Sequence, residues 1–247
     1  MLPSGIETPN RGDAALRILK GAAGQLGRVM LLCLGSIFLI AGCGREEAPA
    51  SKPLQSSYEG TIVAMGDSLT EGLGVAEEQA YPAQLQEKLL DAGYNYKVVN
   101  AGISGETSSG ARSRLNWVLT LEPDILILET GANDGLRGLD PQLVRDNIRY
   151  MVETFRDRDI IVILAGMQIV TNLGPEYTQA FAAVYPLIAR ESDVILIPFL
   201  LEGVAGRPGL NQPDGIHPTA EGYGVLTAHV LPHVINAIDR DRKRKGN

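Results

Sequence analysis

Cysteine is nearly absent from this 247-residue chain: there are two, Cys33 and Cys43, both near its beginning. From Gly44 onward there is none, so the bulk of the chain can hold neither a disulfide nor a thiolate metal site. Histidine is scarce as well, with three residues, which argues against a His-rich metal centre. Positive charge is in deficit: 22 Lys and Arg stand against 29 Asp and Glu, for a formal net charge of −7. Such a surface offers phosphates no basic footing and argues against a non-specific nucleic-acid binder. The one strong basic run, Arg240 to Lys245, reads as a short solvated tail over residues 240–247. No apolar run reaches the ~20 residues that a comfortable membrane span needs. Internal repeats and a phosphate loop are missing too. Gly72-Leu73-Gly74 lacks the third glycine of a dinucleotide fingerprint, because Glu77 stands in its place.

What is present is ordinary for a globular protein, with 45% apolar residues. The length fits one α/β domain with a tail, or at most two small domains. Near the start, Val29 to Ala41 form an apolar run of 13 residues. Arg11, Arg17, Lys20 and Arg28 outnumber Glu7 and Asp13 upstream of it. That arrangement reads as a signal peptide over residues 1–42. The run ends in Ile40-Ala41-Gly42-Cys43, which resembles the lipobox of bacterial lipoproteins. The resemblance implies cleavage before Cys43, acylation of that cysteine, and a lipid anchor in the cell envelope. Gly44 after Cys43 points to the outer membrane, facing the periplasm. A plain secretory signal, giving a soluble periplasmic or secreted protein, is the alternative. Residues 43–60, rich in Glu, Pro, Ala and Ser, read as a flexible tether.

From residue 61 to 239 short apolar runs alternate with helical patterns. The runs are Thr61–Met65, Lys97–Asn100, Ile125–Leu128, Ile160–Ala165 and Val194–Ile197. Continuous rather than alternating apolarity predicts strands covered on both faces, as in a parallel sheet. Helices are predicted after Tyr81-Pro82, Asp140-Pro141 and Gly174-Pro175, and from about Thr219. Their inward stripes include Leu85 and Leu89, then Leu143/Val144, Ile148, Met151/Val152 and Phe155. Tyr177, Phe181, Val184 and Ile188 form a third, and Tyr223, Leu226, Val230, Val234 and Ile238 a fourth. Pro232 is expected to kink or divide the last helix. The alternation predicts an α/β/α sandwich, whose ligand sits beyond the C-terminal strand ends.

Polar loops follow those ends. They are Gly66-Asp67-Ser68-Leu69, then Ala101-Gly102-Ile103-Ser104-Gly105, then Gly131-Ala132-Asn133-Asp134, and Asp214-Gly215-Ile216-His217. Together they supply a hydroxyl, a base with an orienting acid, and amide donors, which is the equipment of acyl transfer. All four in this order resemble the blocks of the SGNH (GDSL-type) hydrolases, in the arylesterase, acyl-CoA thioesterase and lysophospholipase branch. The resemblance implies a flavodoxin-like three-layer sandwich with a five-stranded parallel sheet. The Gly-x-Ser-x-Gly elbow of α/β-hydrolases is absent.

Carried over residue by residue, the resemblance makes Ser68 the nucleophile, His217 the general base and Asp214 the group that orients it. The N–H groups of Ser68 and Gly102 and the Asn133 amide become the oxyanion hole. Asp67 and Asp134 are expected to brace loops. Plainer readings exist for each: a capping serine, a loop histidine, an aspartate capping the last helix, a turn glycine. His229 and His233, four apart, lack a third metal ligand. The expected protein is a monomeric serine esterase needing no metal or cofactor, acting on small acyl esters, thioesters or lysolipids. A carbohydrate O-acetyl esterase and a non-catalytic ligand-binding lipoprotein are the rivals. Met167, Ile169, Val170 and Leu173 are expected to form an acyl-chain lip.

Overall fold

The computed structural model describes residues 58–169 and 173–246. The expected signal segment, Cys43, most of the tether and Val170 lie outside the described residues.

Gly-Thr-Ile-Val-Ala-Met-Gly forms strand β1, Gly60–Gly66, and Ile62 to Met65 are fully buried within it. The other strands are β2 (Tyr96–Gly102), β3 (Ile125–Glu129), β4 (Ile161–Ala165) and β5 (Ile195–Ile197). All pair in parallel, in the order β2-β1-β3-β4-β5. Central β3 is buried at every residue, whereas edge strand β2 exposes Lys97 and Asn100. The chain direction along the sheet reverses between β1 and β3, and there the C-terminal ends open a crevice.

Helices α2 (Tyr81–Asp91) and α8 (Ala220–Lys245) pack together, while α6 (Pro141–Arg156) adjoins α7 (Pro175–Ser192). Each starts for a local reason. Asp140 caps α6 by accepting the Gln142 N–H at 2.9 Å, and Pro141 follows with its φ preset. In α6, Val144, Ile148, Met151, Val152 and Phe155 are fully buried, while Leu143 turns out to solvent. Four more helices are only four to six residues long: α1 (Ser68–Glu71), α3 (Ser108–Ser113), α4 (Leu115–Leu119) and α5 (Ala132–Leu136). None shows in the sequence pattern, because a single turn has no measurable period.

Two expectations are corrected at the C-terminus. Of the kink or division expected at Pro232, division is ruled out, since helix α8 runs on to Lys245. Pro232 and Ala228 both sit on the solvent face, so water can satisfy the carbonyl that the proline leaves unpaired. Nor is Arg240–Lys245 a loose tail. Asp241 is fully buried and accepts from the Tyr96 hydroxyl at 2.8 Å and from Lys245 at 2.8 Å. Lys245 also reaches Asp124 at 2.7 Å, and Arg242 pairs with Glu59 at 2.9 Å. These charges stitch the last turns of α8 to the start of β1, where sequence-distant partners await them.

Candidate active site

β1 ends at Gly66, and Asp67 then caps α1 by accepting the Leu69 N–H at 3.0 Å. The turn is tight. A Cβ on Gly66 would fall 2.1 Å from the Thr70 hydroxyl and 2.3 Å from a Glu129 carboxyl oxygen. This geometry presents Ser68 as the first residue of α1, at the crevice where the strand order reverses. Ser68 is 7% exposed and lines the crevice.

His217 arrives on the long connection between β5 and α8. Gln212 holds that loop: its N–H donates to the His217 carbonyl at 2.7 Å, and its side chain donates to Leu73 and Pro218 carbonyls at 2.7 and 2.9 Å. The result places His217 Nε2 2.8 Å from Ser68 Oγ and His217 Nδ1 2.7 Å from Asp214 Oδ2. The other Asp214 oxygen accepts the N–H groups of Ile216 and His217 at 3.0 and 3.1 Å. The bond to the His217 ring, with those amides, holds the Asp214 carboxyl down to about 2. An ionised Asp214 takes the proton-bearing face of the ring, Nδ1–H, which leaves the Nε2 lone pair for the Ser68 hydroxyl; this tautomer is assigned from the hydrogen-bond pattern. Asp214 does not cap α8, a role that Thr219 fills.

Asn133 sits on α5, whose first turn follows β3. One of its two amide hydrogens goes to Asp67 Oδ2 at 3.0 Å, and the side chain lines the same pocket as Ser68 and His217. Gly102 does not reach that pocket. It is the last residue of β2, its N–H already donates to Asn100 Oδ1 at 3.0 Å, and α1 presses on it. A Cβ there would lie 2.1 Å from the Glu71 nitrogen, so Gly102 is a close-packing glycine. Three residues on, Gly105 lines the pocket at φ +76°, and its N–H has no partner among the described residues. Its loop is braced by Glu71, which takes the Ser104 N–H at 2.9 Å, and by Arg137, which donates to the Gly105 carbonyl at 3.0 Å. Both glycines stand in the same motif, but nothing in the letters shows which amide is already spoken for.

Asp67 and Asp134 brace loops as expected. Asp134 is fully buried and accepts the Ser108 N–H and hydroxyl, both at 2.7 Å. The sequence reading missed Glu129, a charged residue ending an otherwise apolar strand and lying fully buried beneath Asp67. Burial pushes both the Asp67 and Glu129 carboxyls up, Glu129 well above the usual carboxylate range.

The crevice opens into a pocket of about 540 Å³, within the usual range for small-molecule sites. Leu73, Leu136, Met167, Ile169, Leu201 and Ile216 line it alongside Ser68, Asn133 and His217. Of the expected lip, Met167 and Ile169 are in the wall. Leu173 is 42% exposed, beside Gly138, and not part of it. His229 and His233 lie outside this pocket, their rings 5.8 Å apart, with His229 Nε2 3.1 Å from the Phe199 carbonyl.

The chain matches the GDSL-like lipase/acylhydrolase family over residues 64–225. It is 41% identical to esterase TesA of Pseudomonas aeruginosa over 179 residues, which cover 72% of this chain and 89% of that one. To thioesterase 1/protease 1/lysophospholipase L1 of Escherichia coli it is 37% identical over 182 residues, covering 73% and 86% of the two chains. A crystal structure of TesA superposes with a TM-score of 0.69 at 41% identity, over 72% of this chain and 99% of the other. By sequence match and by superposed fold alike, the chain belongs to the GDSL-like lipase/acylhydrolase family and is a hydrolase of ester bonds.

Proposed function

We propose that the protein hydrolyses carboxylic esters carrying an apolar acyl group, and thioesters or lysophospholipids of the same kind, through an acyl-enzyme on Ser68. One observation carries the reading: Ser68 Oγ, His217 and Asp214 form a continuous relay of 2.8 and 2.7 Å at the mouth of a largely apolar pocket. His217 Nε2 takes the Ser68 proton as Oγ attacks the acyl carbon. Asp214 stabilises the imidazolium. The tetrahedral oxyanion then lies against three donors: the N–H groups of Ser68 and Gly105, and the Asn133 amide hydrogen not used by Asp67. His217 returns the proton to the departing alcohol or thiol. Water, deprotonated by the same nitrogen, attacks the acyl-enzyme and releases the acid, restoring the Ser68 hydroxyl.

The pocket wall supports an acyl chain over a sugar, since its side chains are mostly aliphatic and offer few partners for hydroxyls. The thioesterase and lysophospholipase names of the Escherichia coli relative support the wider substrate range. Among the described residues no helix is long and apolar enough to cross a membrane. Attachment to the envelope is proposed to run through acylated Cys43, on the strength of the Ile40-Ala41-Gly42-Cys43 sequence. The catalytic reading is tested with Ser68→Ala, assayed on p-nitrophenyl butyrate, palmitoyl-CoA, a lysophospholipid and an acetylated glycan. The variant should fold as the parent does and lose nearly all turnover. Substantial residual hydrolysis would reject Ser68, and a parent enzyme acting on the glycan alone would reject the acyl-chain reading.

A further inference from the structure

Glu129 is the one acidic residue of β3 and is fully buried at that strand's C-terminal end. Its Oε2 accepts the Asp67 N–H and the Thr70 hydroxyl, both at 2.9 Å. Its Oε1 is buried with no partner. Around it stand Asp67 and Thr70, then Tyr81, whose hydroxyl is 3.3 Å from that of Thr70, and more distantly Tyr185 and Tyr223. No described hydrogen bond or ion pair joins it to Lys, Arg or His. A carboxylate held there without a cation loses its hydration and receives little in return.

Asp67, whose own carboxyl is buried as well, is hydrogen-bonded to Glu129 through its backbone N–H. Two neighbouring buried carboxylates with no ion-pair partner repel each other, so one of them carries a proton. The donors decide which. Both Asp67 oxygens already accept N–H groups, from Leu69 and from Asn133, and such bonds favour the anion. Glu129 has the empty oxygen, where a proton would sit.

We propose that Glu129 is a positioning residue of this active site: as a neutral acid it accepts the Asp67 N–H and the Thr70 hydroxyl, and so fixes the first turn of α1 at Ser68 and, through Asp67, the Asn133 amide. This rests on the roles given above to Ser68 and Asn133. The arrangement leaves one negative charge beneath the crevice instead of two. A second would oppose the oxyanion that forms on the carbonyl oxygen. It also accounts for the glycine of Gly-Asp-Ser-Leu, since any side chain at Gly66 would occupy the space of the Glu129 carboxyl.

The test compares the parent enzyme with Glu129→Gln and Glu129→Leu. In the infrared difference spectrum of parent minus Glu129→Gln, at neutral pH, the band lost should be the C=O stretch of a protonated carboxylic acid. Loss of carboxylate bands instead would overturn the proposal. Glu129→Leu should lower kcat by about tenfold or more with little change in KM, because a displaced oxyanion donor weakens only the transition state. Glu129→Gln, neutral and still able to accept the Asp67 N–H, should recover most of that loss. Parent-like kcat in Glu129→Leu, or a Glu129→Gln variant as slow as Glu129→Leu, would also overturn it. If Glu129→Leu does not fold, the Glu129→Gln spectrum and its kcat against the parent decide alone. Full turnover by Ser68→Ala would instead remove the site reading, while the infrared result would still report the Glu129 proton.

Discussion

Replacing Asn133 by alanine removes two hydrogen bonds of different kinds at once. One amide hydrogen binds Asp67 Oδ2 at 3.0 Å in the resting protein. The other is proposed to meet the oxyanion only during reaction. Loss of one oxyanion donor costs about 10²–10³ in kcat, or roughly 3–4 kcal/mol of transition-state stabilisation. Loss of the resting bond leaves Asp67 Oδ2 buried without its donor, a cost of about 1–3 kcal/mol in stability. A domain of this size shifts by roughly 2–4 °C per kcal/mol, so Tm should fall by about 2–12 °C. Asp67 can regain part of this by binding a proton or a water, which favours the lower end. The assay is steady-state hydrolysis of p-nitrophenyl butyrate together with thermal unfolding followed by circular dichroism. KM should move by no more than about threefold, since the ground-state carbonyl makes little use of the donor. A lowered Tm with kcat within about threefold of the parent would refute the oxyanion role and leave Asn133 a brace for Asp67.

Further outcomes follow from the same geometry. The Asp214 carboxyl, held down to about 2 chiefly by the His217 ring, stays ionised at any ordinary assay pH. Acidification from about pH 8 to pH 4 should therefore add no protonation step at Asp214 to any loss of activity. A two-proton slope in that range would contradict it, and Asp214→Asn should lose about 10²–10⁴ in kcat through the wrong ring tautomer. At the far end of the molecule, burial would raise Asp241, but hydrogen bonds from Lys245, Tyr96 and Arg244 outweigh it and hold the carboxyl below its ordinary value. A lowered folded value stabilises the protein above the unfolded value of ~3.9 and is lost as pH falls through the folded one. Asp241→Asn should thus lower Tm at neutral pH and narrow the gap to the parent in acid; an unchanged neutral Tm would show the C-terminal turns to be dispensable. Cys43→Ser in the full-length protein should abolish incorporation of labelled palmitate and release the enzyme from the membrane fraction. Continued membrane retention without label would reject the lipid anchor.

Much of the site is legible in the letters because its parts are local. Asp214 and His217 are three residues apart, so one turn brings carboxylate to ring, and the strand before Gly66 announces itself by unbroken apolarity. The choice between Gly102 and Gly105 is another matter. It depends on whether Asn100 has already taken an amide and on how closely α1 approaches, and neither is a property of the motif. Leu143 and Leu173 illustrate the same limit on the apolar side: their hydrophobicity suits a core or a pocket wall, yet helix phase and loop path turn both outward.

The succession of strands and helices, the four polar loops and the Asp214–His217 pairing were thus legible in short-range pattern and side-chain chemistry, and the joining of Ser68 to that pair in the resemblance the loops carry. Only the tertiary structure decided that the Gly102 N–H is taken by Asn100, that Glu129 lies buried against Asp67 with no described ion pair, and that Arg240–Lys245 closes the helix onto Glu59 and Asp124. The physical reason is that hydrogen-bond competition, desolvation and ion pairing are settled between segments far apart in the chain. No window of sequence contains both partners.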